Sequence, residues 1–432
     1  MYKSISLEIF VENTWSDLGE VEILESQVND GYKAKGNFQY DLEYLDKHES
    51  QLFTNGIYAA SVRYPLNFGY ISEESWPAFL LDLLPTGAAR INWLRRLDLK
   101  DGPTADFELL AKGAINPPGN IRVKFEGDLF SKLGNHPGFD YKEVTGRGVD
   151  FIEYAENLGA VVSGTSGAQG VAPKFLLSED VLGNWHGDGA IADKTVKKNW
   201  LVKFPRGKKK RDYQILKSEG IYYEVARDLG IKVCGPLKWD NDTLFIPRFD
   251  REKDKNGNLI RKGLESLISA MGISEYGVSK KNEDYLTVLH KYCSDPSRDI
   301  KEFVFRDFLN VIMGNTDNHG RNTALLKSEN KIEISPLFDF APMVLDDTGI
   351  PRATKWKNET SHIPNFQSIH QALRSVDLSE DEIILFLKES FEKLEGIRER
   401  LKNKGMEEDI LDFVTRKYDD FMTHYQTYLS SL

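Results

Sequence analysis

Strand-like segments fill the first half of this chain and helix-like segments fill most of the second half, and this order constrains the fold most strongly. Residues 1 to about 72 contain short alternating stretches such as SLEIFVE and GIYAASVRY, separated by turn residues. This pattern predicts an antiparallel β region. Because the strands come first and the helices follow, the sequence favours an α+β fold, with a β-rich part stacked on a helical part.

Further strands are expected before the helical part begins. The candidates are NIRVKF at 120–125, KFLL at 174–177, NWLVKF at 199–204 and two strands within PLKWDNDTLFIPRFDRE at 236–252. A helix is predicted from about Asp212 to Leu229, because Gly230 stands where a helix C-cap prefers glycine. An earlier apolar stretch, 76–97, has helical spacing but is interrupted at Pro85 and Gly87.

The composition indicates a globular protein with two or three subdomains. The chain has 432 residues and a net charge of −11, which argues against a surface built to coat DNA. No apolar run approaches the roughly 20 residues of a membrane helix, and the N-terminal stretch lacks the pattern of a secretory signal. Cys234 and Cys293 are too few for a disulfide framework, so we expect a cytoplasmic location and no membrane association.

The polar sequence NTDNHGRN at 315–322 follows an apolar helical run, DIKEFVFRDFLNVIMGN, and is therefore anchored at a helix end. Within it, Asp317 and Asn322 stand five positions apart. The stretches TALL and KIEIS come next and predict a short hairpin, after which Asp339 stands in LFDFAP. Taken alone, Asp317 and Asn322 could equally be turn formers that follow the helix.

The order of these three side chains matches what phosphoryl transfer from ATP requires. The reaction needs a carboxylate that accepts the proton of the substrate hydroxyl, and oxygen ligands that hold magnesium on the phosphates. In the protein-kinase pattern one Asp is the base, an Asn is one metal ligand and a second Asp is the other. Here the second Asp precedes Phe-Ala, and His319 follows the base instead of preceding it.

A kinase also requires a phosphate-covering loop and a lysine on a strand, and the earlier β region contains candidates for both. SGTSGAQG at 163–170 is rich in glycine, so backbone amides could approach phosphates there, although a plain flexible turn also fits. Lys203 ends the strand candidate NWLVKF and could contact the α and β phosphates, with Lys174 as its competitor. Glu219 on the next helix could pair with the lysine or simply be solvated.

Two neighbouring stretches have open interpretations. The cations of KFPRGKKKRD at 203–212 could contact an RNA or a phosphoprotein, but a solvated loop is the default. Downstream of Asp339, VLDDTGIPRATKW at 344–356 lies where an activation loop would be, with Thr348 and Thr354 as candidate phosphosites by position. Trp356 is expected to be a packing residue.

Taken together, these stretches resemble the HipA-like serine/threonine kinases, the toxin components of bacterial toxin–antitoxin pairs. The resemblance extends over most of the chain, and its most specific part is the last two stretches in order. The stretches that carry it are FLLDLLPTGAAR (79–90), SGAQGVAPKFLL (166–177), WLVKFP (200–205), FIPRFDRE (245–252), GNTDNHGRN (314–322) and PLFDFAP (336–342).

The resemblance implies a two-lobed, protein-kinase-like α+β fold with an extra N-terminal β-rich subdomain and an all-helical C-terminal lobe. We expect the N-terminal subdomain at 1–125, a kinase N-lobe-like region with the glycine loop and strand lysine at 126–250, and the helical lobe with the catalytic and metal-binding motifs at 251–432. ATP and Mg²⁺ would be the cofactors.

The resemblance also implies roles for individual residues. Asp317 would be the catalytic base, Asn322 and Asp339 the magnesium ligands, and Lys203 a phosphate contact of catalytic importance. Phe249 would lie near the adenine.

His319 would be a catalytic-motif residue that supports the loop, and Glu219 would complete the nucleotide site. In the glycine loop, Gly164, Gly167 and Gln169 would contact the nucleotide. A serine of this loop can be autophosphorylated in the family, and Ser163 and Ser166 flank the matching position here.

By the same resemblance, the protein would be the toxin of a type II toxin–antitoxin module that causes growth arrest or persistence. A HipB-like DNA-binding antitoxin would restrain it and would link it to DNA indirectly, and its protein substrate would be a translation factor or an aminoacyl-tRNA synthetase. Two alternatives remain: a catalytically silent nucleotide-binding module that acts through a DNA-bound partner, and a metal-dependent phosphohydrolase that releases phosphate without labelling protein.

Overall fold

The chain forms two units, each assembled from three separate stretches of sequence. The computed structural model describes residues 1–125, 136–157, 161–162 and 174–432. The first unit comprises residues 1–206, 234–277 and 325–331, and the second comprises residues 207–233, 278–324 and 332–432. The division into three segments at residues 125 and 250 stays a prediction.

The first unit begins with an antiparallel five-stranded sheet in the order β4-β3-β2-β1-β5. Buried apolar side chains between residues 5 and 123 form one core that includes the inner face of this sheet. Leu84, Pro85 and Thr86 separate α2 from α3, as the interruption at Pro85 and Gly87 predicts. The elements are β1 (Tyr2–Val11), β2 (Thr14–Leu24), β3 (Gly36–Tyr40), α1 (Leu42–Lys47), β4 (Ile71–Glu73), α2 (Leu80–Leu83), α3 (Gly87–Leu97), α4 (Asp106–Gly113) and β5 (Ile121–Val123).

A second antiparallel sheet, in the order β10-β11-β9-β7-β6 with β8 beside β7, follows in the same unit. Its aromatic core includes Trp185, Trp200 and Phe245, which are contributed by three of its strands. The elements are α5 (Tyr141–Gly146), α6 (Val149–Asn157), β6 (Val161–Val162), β7 (Lys174–Asp180), β8 (Trp185–Gly187), β9 (Val196–Lys203), β10 (Lys238–Asp240), β11 (Thr243–Pro247), β12 (Arg251–Lys253), β13 (Leu259–Arg261), β14 (Gly263–Ser266) and α8 (Leu267–Ala270).

The stretch GIYAASVRY at 56–64 alternates like a strand but does not form one, so this prediction was wrong. Some of its backbone amides donate within the stretch, and two donate to side chains outside it instead of to a neighbouring strand. The amide of Ala60 donates to the Tyr40 hydroxyl at 3.0 Å, and the amide of Val62 donates to the Glu265 carboxylate at 2.8 Å. Because these bonds satisfy the buried backbone, the segment is held without a β ladder.

The second unit is mainly helical. The long helix expected before the polar sequence is present, and the helix expected from Asp212 ends as predicted at Gly230, where φ is +88°. The hairpin strands β15 (Ala324–Ser328) and β16 (Lys331–Ile334) lie where the chain passes between units. The helices are α7 (Lys210–Asp228), α9 (Asn282–Tyr292), α10 (Pro296–Ile312), α11 (Phe366–Arg374), α12 (Glu380–Leu394), α13 (Ile397–Asn403), α14 (Glu408–Val414) and α15 (Tyr418–Leu429).

The observed elements confirm the α+β class and the strands predicted around residues 120, 174, 199 and 236–252. In the described ranges, the helices lack the combination of length and apolar character that crossing a membrane requires.

Candidate functional site

The polar sequence 315–322 forms a tight loop that starts where α10 ends. Met313 caps the helix and Gly314 follows with φ of +67°, a conformation that glycine adopts without steric cost. The Gly314 carbonyl accepts a hydrogen bond from the Val344 amide at 3.0 Å. A Cβ at Gly314 would come within 2.6 Å of a Val344 methyl group, so the close approach of the two backbones requires glycine at this turn.

Hydrogen bonds inside this loop, which we call the catalytic loop (315–322), bring Asp317 and Asn322 together. The Asn322 side-chain Nδ2 donates to the Asp317 carbonyl at 2.7 Å, and the Asn322 amide donates to the His319 carbonyl at 2.9 Å. His319 Nδ1 accepts from the Arg321 amide at 3.2 Å, and His319 Nε2 lies 3.5 Å from Asp317 Oδ1. The three predicted motif residues of this loop therefore share one turn of chain.

Asp339 follows the hairpin in an unusual backbone conformation. Its φ is +50°, in the left-handed region that Asp adopts more readily than most residues. The next residue, Phe340, is buried, and its ring centroid lies 5.1 Å from that of Tyr222 on α7. The Tyr222 hydroxyl donates to the Met313 carbonyl. One buried tyrosine thus contacts the chain just before the catalytic loop and just after Asp339.

The chemistry of Asp339 and Asn322 fits a magnesium ion. Both side chains carry oxygen atoms that could ligate a metal. Because Asn322 Nδ2 donates to the Asp317 carbonyl, Oδ1 is the side-chain atom of Asn322 that would ligate the ion. Among the described residues, no group of three or more His, Cys, Asp and Glu side chains is arranged to hold a metal. Magnesium needs only one or two protein carboxylates when substrate phosphates and water supply the remaining ligands, so a sparse set is sufficient.

In the first unit, the structure places both lysine candidates at the same end of the second sheet. Lys203 is the last residue of β9, as predicted, and it is 3% exposed. It pairs across the sheet with Lys174 of β7 on one side and with Leu244 of β11 on the other. Residues paired across antiparallel strands project from the same face. Two ammonium groups on one face are chemically suited to an anionic triphosphate. The position of the two lysines in the sheet therefore does not decide which of them would contact the phosphates.

Phe249 lies between Arg248 and Asp250, two residues of a buried hydrogen-bonded network in the same unit. The guanidinium of Arg248 donates to both Asp250 oxygens at 2.9 and 2.6 Å, and Arg251 donates to Asp250 at 2.8 Å. The Gly119 amide also donates to Asp250 at 2.8 Å. Burial would raise the pKa of Asp250, but the two arginines outweigh it and lower the pKa to about 2. Phe249 itself is half-buried.

The glycine-loop predictions lie outside the described residues. Ser163, Gly164, Ser166, Gly167 and Gln169 all belong to the stretch 163–173, for which the structure gives no description. Their proposed roles in nucleotide contact and autophosphorylation therefore stay predictions.

Glu219 is buried on α7, at 4% exposure, so the solvated alternative does not hold. Its pairing with a lysine stays a prediction. The nearby basic run contains ion pairs within the second unit: Lys209 Nζ lies 2.7 Å from Asp347, and Lys210 Nζ lies 3.9 Å from Glu407. Lys209 stands just before α7 and Lys210 is its first residue, so these two cations lie at the start of a helix and not in a solvated loop. Contact of the basic run with an RNA or a phosphoprotein stays an open alternative.

Sequence reasoning missed the residues that hold the catalytic loop in place. Tyr222 contacts the chain just before this loop, Asp307 contacts the loop itself, and Asn318, a member of the loop, bonds it to the Thr354 carbonyl. Asp307 carried one detectable signal: it is a charged residue within the largely apolar run DIKEFVFRDFLNVIMGN, and a buried charge requires a partner. Its partner Arg352 is 45 residues away, too far for any local pattern to identify.

A family model, the HipA-like C-terminal domain, matches residues 166–396, which is more than half of the chain. The chain belongs to the HipA-like family. This confirms the family indicated by the motifs, and the matched range contains Lys203, the catalytic loop and Asp339.

A curated relative and a solved structure agree with this assignment. A putative kinase, Y4mE of Sinorhizobium fredii (strain NBRC 101917 / NGR234), is 28% identical over 108 residues, which is 23% of this chain and only 25% of that relative. HipA of the Shewanella oneidensis MR-1 toxin–antitoxin system, solved with HipB and operator DNA, matches with a TM-score of 0.65 and 16% identity, over 98% of this chain and 97% of that one. The HipA-like chain therefore has the kinase-like fold of HipA over nearly its whole length.

Proposed function

We propose that this HipA-like chain is an ATP- and magnesium-dependent serine/threonine protein kinase. The observation that carries the proposal is the catalytic loop, where the Asn322 side chain bonds to the Asp317 carbonyl at 2.7 Å directly after α10. This bond fixes the candidate base and a candidate metal ligand on one turn, in the order that phosphoryl transfer requires. Membership of the family supports the same activity.

The proposed mechanism assigns one task to each described residue. Asp317 orients the substrate hydroxyl and accepts its proton as the oxygen attacks the γ-phosphorus in line with the leaving group. His319 supports the loop through its bond to the Arg321 amide. Lys203 and Lys174 stabilise the negative charge of the phosphates. Bound magnesium, held by Asn322 and Asp339, would supply further neutralisation of that charge.

We also propose a biological role as the toxin of a type II module. HipA from Shewanella oneidensis was solved with HipB and operator DNA, and the shared fold supports a HipB-like antitoxin as partner and DNA as an indirect one. A translation factor or aminoacyl-tRNA synthetase is the proposed substrate class, and the cytoplasm the proposed location. Expression of the chain alone should then arrest growth, and co-expression of the antitoxin should restore it. Undisturbed growth at full expression would refute the toxin role.

The kinase proposal is tested by transfer of radiolabelled γ-phosphate from Mg-ATP to proteins of a host lysate. Asp317→Ala should lower the transfer rate by about 100- to 10,000-fold, the usual range for loss of a general base. Asp412→Ala, which changes an exposed carboxylate on α14, is the control and should leave the rate unchanged. Chelation of magnesium should also abolish transfer.

The two alternative functions give different results in the same assay. Release of free phosphate without any labelled protein would indicate a phosphohydrolase. Binding of ATP without transfer or release would indicate a nucleotide-binding module. Either result would overturn the kinase proposal.

A further inference from the structure

Asp307 on α10 accepts five hydrogen bonds in a site that water does not reach. Its side chain is 3% exposed. Arg352 Nη2 donates to both carboxylate oxygens, at 2.9 and 2.7 Å, and the indole Nε1 of Trp356 donates at 2.7 Å. The side chains of Asn282 and Asn318 donate at 3.0 and 3.3 Å. A carboxylate has about four lone-pair sites, so the acceptor capacity of Asp307 is filled.

Three of the four side chains that donate to Asp307 come from two stretches of the second unit, and the fourth, Asn282, belongs to α9. Asn318 belongs to the catalytic loop, one residue after the proposed base. Arg352 and Trp356 belong to residues 346–359, which we call the clamp segment because it follows Asp339 and is fastened to α10. Asp307 therefore connects the catalytic loop to the clamp segment through a single buried side chain.

The Asn318 side chain both donates and accepts hydrogen bonds in this connection. Its Nδ2 donates to Asp307 and to the Thr354 carbonyl at 2.9 Å, while its Oδ1 accepts from the amides of Ala353 and Thr354, each at 3.1 Å. The Ala353 amide also lies 3.3 Å from the Thr316 carbonyl. The backbone of the clamp segment is thus bonded directly to the catalytic loop.

A second carboxylate secures the same arginine. Glu359, whose side chain is 1% exposed, accepts from Arg352 Nε at 3.0 Å and from the Trp356 amide at 3.2 Å. Burial alone would lower the pKa of Arg352, but Asp307 and Glu359 outweigh it and raise the pKa, so the guanidinium stays charged. The Arg352 guanidinium therefore bonds to Asp307 of α10 through Nη2 and to Glu359 of the clamp segment through Nε.

We propose that Asp307 is a positioning residue that holds the catalytic loop and the clamp segment in their working arrangement without phosphorylation of the segment. The inference rests on the proposed kinase function. In kinases that are switched on by phosphorylation, a new phosphate on the activation loop pairs with an arginine and orders the loop. Here the segment contributes the arginine, and the permanent carboxylates of Asp307 and Glu359 take the place of the phosphate.

The surroundings of the two candidate phosphosites agree with this arrangement. Thr354 is 2% exposed, and its amide and carbonyl are both bonded to Asn318. A kinase could reach its hydroxyl only if the clamp opened. Thr348 Oγ1 donates to Asp346 at 2.6 Å within the segment, so a phosphate there would be placed against a carboxylate. Phosphorylation at either position would oppose the observed conformation instead of stabilising it.

Asp307→Asn is the decisive change because an amide cannot replace the carboxylate here. An amide offers one oxygen and one NH2 group, so its nitrogen would face donors from Arg352, Trp356 or Asn318. We expect hydrogen–deuterium exchange at the amides of Ala353 and Thr354 to accelerate at least tenfold. We expect kcat to fall by roughly 10- to 100-fold, as for a small misplacement of catalytic groups, with a smaller change in KM for ATP.

Asp299→Asn is the matched control, since Asp299 is an equally buried carboxylate two turns earlier on the same helix. It accepts from Arg298 at 2.7 and 3.0 Å and from the Ile334 amide at 3.2 Å. This control should lower the thermal midpoint without accelerating exchange in the clamp segment. Trp356→Phe is a milder second variant that removes one donor, and it should accelerate the same amides less. Equal acceleration in Asp299→Asn, or none in Asp307→Asn and Trp356→Phe, would overturn the proposal.

Phosphatase treatment of the wild-type protein distinguishes the proposed role of Asp307 from activation by phosphorylation. The treated protein should keep its kcat and its protection at Ala353 and Thr354. If treatment abolished activity and phosphorylation of the segment restored it, Asp307 would not be sufficient and the proposal would fail. If the wild type transferred no phosphoryl group at all, the kinase function would fail, while the exchange experiment would still decide whether Asp307 holds the segment.

Discussion

Gly320 shows at the scale of one residue why the catalytic loop needs its particular sequence. A Cβ at this position would come within 2.3 Å of the Tyr285 hydroxyl oxygen. Tyr285 is 1% exposed, so its ring has no room to swing away. From the sequence, Gly320 is simply one more turn residue in NTDNHGRN. The requirement for glycine comes from a tyrosine on α9, which local sequence patterns do not connect to this loop.

Gly320→Ala should displace the loop that carries Asp317 and Asn322. We expect kcat for phosphoryl transfer to fall by roughly 10- to 100-fold, since displaced catalytic groups lose near-attack geometry. Gly56→Ala is the control, because a Cβ there meets no atom within 4 Å, and it should keep wild-type kinetics. Steady-state kinetics on both variants, with circular dichroism to establish folding, makes the comparison. Wild-type kcat in Gly320→Ala would mean that Tyr285 does not confine the loop.

The same contrast explains which site residues the sequence could reveal. Asp317 and Asn322 are identifiable because a five-residue spacing reflects the geometry of a single turn, and Asp339 follows after one short hairpin. Asp307 and Arg352 meet only because the chain folds back over 45 positions. Spacing rules describe local geometry, so they locate the candidate reacting groups and miss the side chains that contact them from distant parts of the sequence.

At the scale of elements, α7 illustrates how a correctly predicted helix can have an unpredicted role. Its extent follows from periodicity and from Gly230, but the pattern does not say what its buried face contacts. Tyr222 on this face packs against Phe340 and donates to the Met313 carbonyl. The helix thus contacts the chain on both sides of the catalytic loop. The strand prediction for 56–64 was wrong for a related reason. Two buried backbone amides of this stretch donate to side chains far away in the sequence, so they need no neighbouring strand.

Tyr222→Phe should leave the Met313 carbonyl buried without this donor. An unsatisfied buried polar group costs about 1–3 kcal/mol, and we expect the free energy of unfolding to fall by this amount. Because the ring contact with Phe340 is retained, kcat should fall less than in Tyr222→Ala. Denaturant unfolding and kinetics measure the two effects, with Tyr213→Phe on the same helix as control. If Tyr222→Phe were as stable as the control, the hydrogen bond would have no energetic role.

At the scale of the whole molecule, the sequence predicted the fold class but not how the two units divide the chain. Strands first and helices later suggested a simple order of domains. In the structure, residues 234–277 and 325–331 return to the first unit after the second has begun. The carboxylate of Glu265, for example, bonds to Ser61 and Val62 more than 200 positions earlier. No local composition shift marks such a return.

A fragment containing residues 1–206 should therefore not fold cooperatively. It lacks Glu265, whose carboxylate accepts from Ser61 at 2.5 Å, and it lacks β11, which pairs with β9 in the second sheet. The buried amide of Val62 would be left without its acceptor. Residues 1–331, which include all parts of the first unit, are the comparison. Urea unfolding followed by circular dichroism should show a sigmoidal transition only for the longer fragment, and a sigmoidal transition for 1–206 would contradict this expectation.

The way the chain passes between its units has a consequence for protein synthesis. The ribosome makes residues 315–322, with the proposed catalytic Asp317, before residues 325–331, the last stretch of the first unit. The first unit therefore cannot be completed until after the catalytic loop has been translated, and Asp339 and the clamp segment come later still. A nascent chain that has just completed the first unit therefore already carries residues 315–322, but it still lacks residues 332–432 of the second unit. For a protein proposed to arrest the growth of its own host, activity would then begin only late in translation.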